Sequence, residues 1–411
     1  MEEILDACRH AWRGYRDYAW GHDELKPLSR APLDWYGTPL LLTPVDAQDT
    51  LFLLGLQEEA AQSKTLILER LSFDLDISVQ VFEVNIRLLG GLLAAYQLDG
   101  DEAFLTLADD LGRRLLPAFD SPTGMPYRFL NLRSGEKNQP VSNPAEIGTL
   151  TLEFGTLGRL TGNQKFFQAA KAAVVSLFER RSSLDLVGSR INVETGEWLD
   201  PRSHVGGGID SYYEYLHKAW RLFGDEEFRA MWQVSITAVH QHVAHGDWYG
   251  VVDMNTGERL ATRFGALQAF FPGLLALSGD IARAERLMAA IEEFGGLLPE
   301  SFDFSEMKIH SPGYELRPEV LESAFYLYRA TGNERYRAFG AGYFDAIVRA
   351  TRCDTGFAAL ADVRSGEKKD RMHSFLLAET FKYAYLLFAP AETLDLEAAI
   401  LTTEAHPLRA L

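Results

Sequence analysis

Residues 323–344 read SAFYLYRATGNERYRAFGAGYF, and this stretch holds one unit of a pattern that recurs along the chain. An amphipathic segment ends at Gly332, Asn333 follows, and a second amphipathic segment begins at once. Glycine suits the left-handed residue that closes a helix, and asparagine suits the N-cap of the next helix. The stretch therefore predicts a hairpin of two helices joined by a tight turn.

The same kind of turn recurs through the chain. Successive glycines of this type are 62, 62, 55 and 53 residues apart, and each lies between two amphipathic segments. The turns are Gly100-Asp101, Gly162-Asn163, Gly224-Asp225, Gly279-Asp280 and Gly332-Asn333. A period of this kind indicates a fold that stacks one supersecondary unit on the next.

A second set of glycines falls between these turns, in segments that are typical of β-hairpin tips. The tips are Arg133-Ser134-Gly135-Glu136, Glu194-Thr195-Gly196-Glu197, Asn255-Thr256-Gly257-Glu258 and Arg364-Ser365-Gly366-Glu367. Their glycines are 61, 61 and 109 residues apart, so the last gap is roughly two periods. Each unit is therefore predicted to be helix, tight turn, helix and a loop with a hairpin.

Such units cannot bury their apolar faces alone, so they must stack, and about thirteen helices would make six or seven helical hairpins. A closed toroid of hairpins needs no polar capping ends and has one axial pocket. In a toroid the tight turns lie at one end, and the β-hairpins lie at the other. The helix starts that follow the β-hairpins would surround the mouth of the pocket.

Composition narrows the class of protein. The 411 residues are 47% hydrophobic and carry a formal charge of −18, which argues against nucleic acid or an anionic membrane as partner. Two cysteines cannot build a disulfide framework. The sequence opens without signal-peptide features, and LLGGLLAAY is too short to span a bilayer. We expect a soluble monomer, periplasmic or secreted if a signal was removed and otherwise cytoplasmic.

Carboxylates recur at or near the predicted helix starts. They lie in VFEVNIR, NPAEIG, GGGIDSYYEY, YELRPEVLES and SFLLAET, as Glu83, Glu146, Asp210, Glu319 with Glu322, and Glu379. In a ring these side chains would converge, and converging carboxylates serve acid–base chemistry, a cation or both. Ordinary alternatives exist, because Glu83 and Arg87 are spaced for an intrahelical ion pair and Asp210 suits a helix N-terminus.

Eight segments in order give the chain a resemblance to glycoside hydrolase family 47, the class I α-mannosidases. They are TPVDAQDTLFLLGL, VFEVNIRLLGGLLAAY, AEIGTLTLEF, GIDSYYEYL, LQAFFPG, LRPEVLESAFYLYRATG, SFLLAETFKYAYLLF and TEAHP. The resemblance implies an all-α fold, an (α/α)7 barrel with short β-hairpins at one end, as a single catalytic domain over residues 1–411. It also implies calcium-dependent, inverting hydrolysis of terminal α-1,2-linked mannose from high-mannose-type glycans or mannosides.

The resemblance also assigns roles to residues. Glu83 matches the general acid, thought to act through a water, and Glu319 matches the favoured general base. Asp210 matches a third catalytic carboxylate that is also argued to be the base. Thr403 matches the direct protein ligand of Ca2+. The predicted substrate-binding residues, some of which would hold waters of the ion, are Arg87, Glu146, Arg317, Glu322, Phe375, Glu379 and Glu404, with Phe375 as the aromatic floor beneath the sugar.

Two departures from the family pattern bear on specificity. His373 stands where many members have Glu before the Ser-Phe pair. Gly208 stands two residues before Asp210, where the endoplasmic-reticulum enzyme that removes one mannose has Arg. Gly208 indicates room for other glycan branches, and the chain resembles the degradation-enhancing or bacterial branch more closely. The alternatives are a mannose-binding module with little or no turnover and another helical-toroid enzyme, such as a sugar epimerase or lyase.

Overall fold

The computed structural model of the protein describes residues 1–410, and these are built mainly from helices. The α-helices are α1 (Glu2–Ala19), α2 (Leu42–Leu53), α3 (Gln57–Arg70), α4 (Val81–Val84), α5 (Gly90–Asp99), α6 (Glu102–Leu115), α7 (Pro144–Gly148), α8 (Thr151–Thr161), α9 (Lys165–Glu179), α10 (Asp210–Phe223), α11 (Glu226–Ala238), α12 (Phe271–Leu277), α13 (Ile281–Phe294), α14 (Glu319–Thr331), α15 (Arg335–Thr351) and α16 (Phe381–Phe388).

Short segments of other helix types extend several of these helices. Within residues 1–410, π-helical turns cover Asn85–Leu89, Val239–Val243 and Leu376–Thr380, and 3-10 turns cover Leu116–Phe119, Ala266–Phe270 and Ala391–Thr393. The first π-helical turn joins α4 to α5. If α4 and α5 count as one helix, and α7 with α8 as another, the described chain has 14 helices.

The strands are short and form small antiparallel sheets. They are β1 (Glu24–Lys26), β2 (Ala31–Leu33), β3 (Ser78–Gln80), β4 (Phe129–Asn131), β5 (Lys137–Asn138), β6 (Val141–Ser142), β7 (Arg190–Asn192), β8 (Trp198–Asp200), β9 (Arg202–Ser203), β10 (Ala244–His245), β11 (Trp248–Tyr249), β12 (Val251–Asp253), β13 (Arg259–Ala261), β14 (Arg263–Phe264), β15 (Ser301–Asp303), β16 (Lys308–Ser311), β17 (Arg352–Cys353), β18 (Gly356–Phe357), β19 (Leu360–Asp362), β20 (Glu367–Lys368), β21 (Ala399–Leu401) and β22 (Pro407–Arg409).

The chain is divided into two compact units. The first unit comprises Met1–Glu69, His245–Tyr249 and Thr262–Asp395. The second unit comprises Arg70–Ala244, Gly250–Ala261 and the segment from Leu396 onwards. Both units have buried cores of helical apolar side chains, among them Leu321 and Leu387 in the first and Leu92 and Leu157 in the second. Whether residues 1–411 act as one domain stays a prediction.

The tight helix–helix turns form as predicted. Gly100, Gly224 and Gly332 have φ angles of 80°, 70° and 67°, the left-handed conformation that glycine adopts without strain. Asp101 then accepts a hydrogen bond from the Ala103 backbone N–H at 3.0 Å, which caps α6. The recurring Gly–Asp and Gly–Asn pairs therefore mark the ends and starts of consecutive helices.

All four predicted β-hairpins are present, and a further hairpin, which joins β15 to β16, was not predicted. In its tip Met307 adopts a φ of 53° where the four predicted tips have glycine. Asp303 accepts from the backbone N–H of Ser305 at 2.8 Å, as Asn131 accepts from Ser134 at 2.9 Å. This hairpin accounts for the gap of 109 residues, because it lies between the tips at Gly257 and Gly366.

Four of these five hairpins pair with a third strand. That strand leads into a helical segment that either carries a predicted functional residue or is apolar. The three-stranded sheets have the orders β3-β4-β5, β6-β7-β8, β13-β12-β9 and β14-β15-β16. The remaining predicted hairpin, β19–β20, makes a bridge from Leu360 to Tyr314 just ahead of α14. The hairpins thus fix the segments that run into the helix starts, and Glu83, Glu146, Asp210 and Glu319 follow these segments directly.

Candidate active site

The predicted catalytic and binding residues are divided between the two units. Glu83, Arg87, Glu146, Asp210, Thr403 and Glu404 lie in the second unit. Arg317, Glu319, Glu322, Phe375 and Glu379 lie in the first unit. In each unit, carboxylates stand at or near helix starts, as the sequence predicted.

In the second unit Arg87 joins two predicted carboxylates into what we call the Arg87 cluster (Glu83, Arg87 and Glu404). The Nε of Arg87 donates to Glu83 Oε2 at 2.9 Å, and its Nη1 donates to Glu404 Oε1. The side chains of Arg87 and Glu404 are 8% and 3% exposed, and that of Glu83 is 23% exposed. The intrahelical ion pair is therefore present, and Glu83 still has surface that a ligand can reach.

Arg87 lies on the π-helical turn Asn85–Leu89, and Glu379 lies on another, Leu376–Thr380. A π-helical turn widens the spacing of successive side chains and is often found at functional sites. In the first unit, the hydroxyl of Thr50 donates to the Ala378 carbonyl at 3.0 Å and holds the second turn against α2. The sequence did not predict these π-helical turns, because their apolar residues follow the same periodicity as those of an ordinary α-helix.

The C-terminal segment is an ordered hairpin rather than a frayed tail. β21 pairs with β22 with Ile400 opposite Leu408, and Ala405 takes a left-handed φ of 57° in the turn. The backbone N–H of Thr403 donates to the hydroxyl of Tyr215 at 3.3 Å. The turn that carries Thr403 and Glu404 is therefore tied to α10.

Tyr215 extends this link to a carboxylate that the sequence analysis did not single out. The Tyr215 hydroxyl donates to Glu153 Oε1 at 2.6 Å, and Asn85 Nδ2 donates to Glu153 Oε2 at 3.1 Å. Glu153 is buried, and burial raises its pKa to about 7, although hydrogen bonds from Tyr215 and Asn85 oppose the shift. Its signal was available, because it stands in AEIGTLTLEF, seven residues or two helical turns after Glu146.

Glu146 is held on several sides by its own unit. Its Oε1 accepts from Gln80 at 2.8 Å and from Arg128 Nε at 3.0 Å, and its Oε2 accepts from Ser142 at 3.1 Å. Asn143 caps α7 by accepting from the Glu146 backbone N–H at 2.9 Å. A carboxylate fixed in this way can orient a water or a sugar hydroxyl with little further loss of side-chain entropy.

Asp210 is the first residue of α10 and follows the glycine segment 206–208. Gly208 has a φ of 93°, and its carbonyl accepts from the Ala145 backbone N–H at 3.0 Å. The nearest atom to an added Cβ there, Asn143 Cγ, would be 3.8 Å away. Backbone conformation rather than crowding therefore makes glycine the suitable residue at this position.

In the first unit Arg317 forms what we call the Arg317 cluster (Glu300, Arg317 and Phe375). Its guanidinium donates to both carboxylate oxygens of Glu300, at 3.1 and 2.9 Å, and its Cζ lies 5.5 Å from the centre of the Phe375 ring. Burial opposes the positive charge, but the carboxylates of Glu319, Glu300 and Glu315 raise the pKa of Arg317 above its usual value. Glu300 was not among the predicted residues, because nothing in its local sequence marks it.

Glu319 and Glu322 occupy the first turn of α14, directly after Pro318. Glu322 is buried, and the hydroxyl of Tyr383 donates to its Oε1 at 3.3 Å. The negative charge of Glu319 adds to burial in raising the pKa of Tyr343. Glu319 thus exerts its charge on neighbouring side chains of the first unit.

His373 has three partners. Its Nε2 lies 3.1 Å from Glu315 Oε2, and its Nδ1 lies 3.5 Å from Glu24 Oε1. Its ring stacks on Phe375 with a centroid distance of 4.8 Å and an angle of 10° between the planes. The departure from the family pattern therefore lies directly against the predicted aromatic floor.

The donor set of the predicted metal-binding residues is composed of oxygen atoms, which are the ligands that calcium prefers. Among residues 1–410, no group of three or more His, Cys, Asp or Glu side chains is arranged to hold a metal ion. A site with one direct protein ligand, Thr403, and waters held by carboxylates would not form such a group. The oxygen chemistry of these residues fits calcium, and the buried Glu404 lies next to Thr403 in the chain.

Solved structures define the class of fold. The structure is similar to that of an alpha-1,2-mannosidase from Trichoderma reesei, with a TM-score of 0.91 and 26% identity over 100% of this chain and 98% of that one. That enzyme is an (α/α)7 barrel, so the predicted all-α fold class is confirmed. The likeness places the protein in the class of barrel-type glycoside hydrolases.

Sequence comparisons identify the family. The family model of glycosyl hydrolase family 47 matches residues 7–410. The chain therefore belongs to this family. It is 41% identical to Alpha-mannosidase I MNS4 of Arabidopsis thaliana over 94% of this chain and 65% of that protein. It is 39% identical to ER degradation-enhancing alpha-mannosidase-like protein 2 of Homo sapiens over 95% of this chain and 70% of that protein. The predicted family and enzyme class are therefore confirmed.

No helix within residues 1–410 has the length and apolar character that crossing a membrane requires.

Proposed function

We propose that the protein is an exo-acting, inverting α-1,2-mannosidase that requires Ca2+ and removes terminal mannose from high-mannose-type glycans or mannosides. Membership of glycosyl hydrolase family 47 supports the reaction class. The likeness to an alpha-1,2-mannosidase over the full chain supports the linkage. One observation carries the assignment of residues: Arg87 joins Glu83, the proposed acid, to Glu404, the neighbour of the proposed calcium ligand.

The proposed chemistry is a single displacement. A water attacks the anomeric carbon, a carboxylate takes its proton, and an acid protonates the departing glycosidic oxygen, so an α-linked substrate yields β-mannose. Glu83 would supply the acid function through a water, and Glu319 would be the base, with Asp210 as the alternative base. The remaining accessible surface of Glu83 allows a water to reach it.

Binding would depend on the other predicted residues. Phe375 offers an apolar ring for one face of mannose, with Arg317 beside the ring. Glu146, Glu322, Glu379 and Glu404 are buried carboxylates, and each would accept hydrogen bonds from sugar hydroxyls or from waters. When bound at Thr403, Ca2+ would supply positive charge beside Glu404 and would orient two sugar hydroxyls.

The test uses α-1,2-mannobiose and the purified full chain. We expect release of mannose with calcium present, loss of release after chelation and recovery on adding calcium back. Proton NMR at early times should show β-mannose, because inversion fixes the first anomer formed. Glu83→Gln should lower kcat by about 100-fold or more. Glu58→Gln, an exposed glutamate on α3, is the matched control.

The second candidate is a mannose-binding module with little turnover, favoured by the unusual His373. Calorimetry with a mannose-configured inhibitor distinguishes the two. Binding without any release of mannose would support the module and contradict the hydrolase. A protein that neither binds the inhibitor nor releases mannose would contradict both candidates.

A further inference from the structure

The segment before Phe375 is fixed to the first unit by side chains that the proposed mechanism does not use. Met372 donates its backbone N–H to the Leu25 carbonyl at 3.1 Å, which places the segment beside β1. Ser374 donates its backbone N–H to Glu24 Oε1 at 3.2 Å and its hydroxyl to Asp46. The backbone on both sides of His373 is therefore held, so its ring has a defined place against Phe375.

Two carboxylates approach the two nitrogens of the His373 ring. Glu315 comes from the segment ahead of α14, and Glu24, which is completely buried, comes from β1. A neutral imidazole has one N–H and can donate to one carboxylate, whereas the imidazolium can donate to both. Both nitrogens of the ring therefore face a carboxylate of the first unit.

Other charges nearby complete the pairing of these carboxylates. Arg371 Nε lies 2.8 Å from Glu24 Oε2, and Lys369 pairs with Glu315. Burial opposes ionisation of Glu315, but hydrogen bonds from His373 and Lys369 lower its pKa to about 2. Burial likewise opposes ionisation of Glu24, yet His373 and Arg371 keep its pKa below the usual value. Both carboxylates are therefore ionised at neutral pH and available to a charged imidazole.

We propose that His373 is a positioning residue that fixes the Phe375 ring, and that its own place is set by Glu24 and Glu315 at its two nitrogens. The near-parallel stack at 4.8 Å transmits the position of the imidazole to the phenyl ring. Arg317 lies 5.5 Å from the same ring and is itself paired with Glu300. The consequence for sugar binding rests on the proposed function, in which Phe375 contacts mannose.

The physical consequence is a binding surface that is ordered before the ligand arrives. A ring that is already held by packing loses little further freedom when a sugar binds to it. Loss of the His373 support should therefore weaken substrate binding, through KM rather than through kcat.

The enzymatic test compares His373→Gln with the wild-type chain at one fixed pH. We expect the KM of the variant for α-1,2-mannobiose to exceed the wild-type value by about two- to tenfold, with kcat little changed. His373→Phe keeps a stacked ring and should show a smaller rise in KM. His310→Gln, the same change at an exposed position on β16, is the control and should leave KM unchanged.

A second measurement needs no substrate. In NMR spectra of protein labelled at Phe, the Phe375 ring signals should shift and broaden in His373→Gln and should match wild type in His310→Gln. Phe375 signals that are unchanged in His373→Gln would overturn the proposal, as would equal KM values for His373→Gln and wild type. If the wild-type chain neither hydrolyses nor binds mannosides, the proposed function fails, whereas these spectra still decide the role of His373.

Discussion

The Arg87 cluster and the Arg317 cluster both place an arginine against functional side chains, but the chain assembles them differently. Arg87 takes one partner from its own helix, four residues away, and the other from a turn that is 317 residues distant in sequence. Arg317 takes Glu300 from 17 residues away and lies beside the Phe375 ring. The Arg87 side chain is 8% exposed and that of Arg317 is 20% exposed. The first arginine should therefore matter more for stability, and the second more for ligand binding.

The largest effect should come from Arg87→Ala, which would break the more buried cluster. Removing this cation breaks the ion pair of Arg87 with the buried Glu404, and such a change costs about 3–5 kcal/mol. Urea denaturation should show the loss in the free energy of unfolding. Arg113→Ala is the matched control, because Arg113 also pairs with a carboxylate four residues away but is 61% exposed. Equal losses in both variants would contradict the role of burial.

The next effect concerns Glu153, which is linked through the Tyr215 hydroxyl to the turn that carries Thr403 and Glu404. Its pKa is raised from 4.5 in the unfolded chain to about 7 in the folded one. The unfolded chain therefore ionises first, and ionisation of Glu153 costs the folded state stability as pH rises from about 4.5 to 7, by up to about 3 kcal/mol. Glu153→Gln removes this penalty. Its stability relative to wild type should increase across that window and stay level above pH 7, as measured by urea denaturation at each pH.

Tyr215→Phe should have a smaller effect in the same region. It deletes the hydroxyl that joins the Thr403 N–H to Glu153 and leaves that half-buried N–H without this acceptor. A loss of about 1–2 kcal/mol is expected. Thermal unfolding with and without calcium gives the measurement, and calcium should stabilise the variant less than wild type. The half-exposed Tyr18 supplies the control change, Tyr18→Phe. Calcium stabilisation identical to that of wild type would contradict the link to Thr403.

The smallest effect should come from Arg317→Lys in the less buried cluster. Lysine keeps the charge but cannot make the two parallel hydrogen bonds to Glu300. We expect KM for α-1,2-mannobiose to rise by about tenfold with kcat and stability little changed. Steady-state kinetics and urea denaturation together test the comparison. A loss of stability as large as that of Arg87→Ala would show that the two clusters do not differ in the way proposed.

Regular spacing made much of the fold predictable. A tight turn needs a left-handed residue followed by a helix cap. Gly332 and Asn333 therefore predict the end of one helix and the start of the next. The hairpin at Met307 was missed because its left-handed residue is not glycine. The fold class and the family are confirmed, whereas the roles of Glu83, Asp210, Glu319 and Thr403 stay predictions.

Some contacts of the candidate site could likewise be predicted from the sequence, and others could not. The Glu83–Arg87 pair could be predicted from sequence, because residues four apart face each other on a helix. Glu153 could have been found from its spacing after Glu146. Glu300 and Glu315 could not, because their positions depend on how the segment before α14 folds back on other elements of the first unit.

The sequence by itself determined the helical hairpins, the helix starts that carry carboxylates and the identity of the family, because these depend on local periodicity, turn chemistry and ordered motifs. Only the tertiary structure decided the partners. The link from Arg87 to Glu404, the chain from Thr403 through Tyr215 to Glu153, and the approach of Glu24 to His373 join residues that are far apart in sequence. Long-range packing sets such contacts, and no local pattern encodes a distance between segments separated by hundreds of residues.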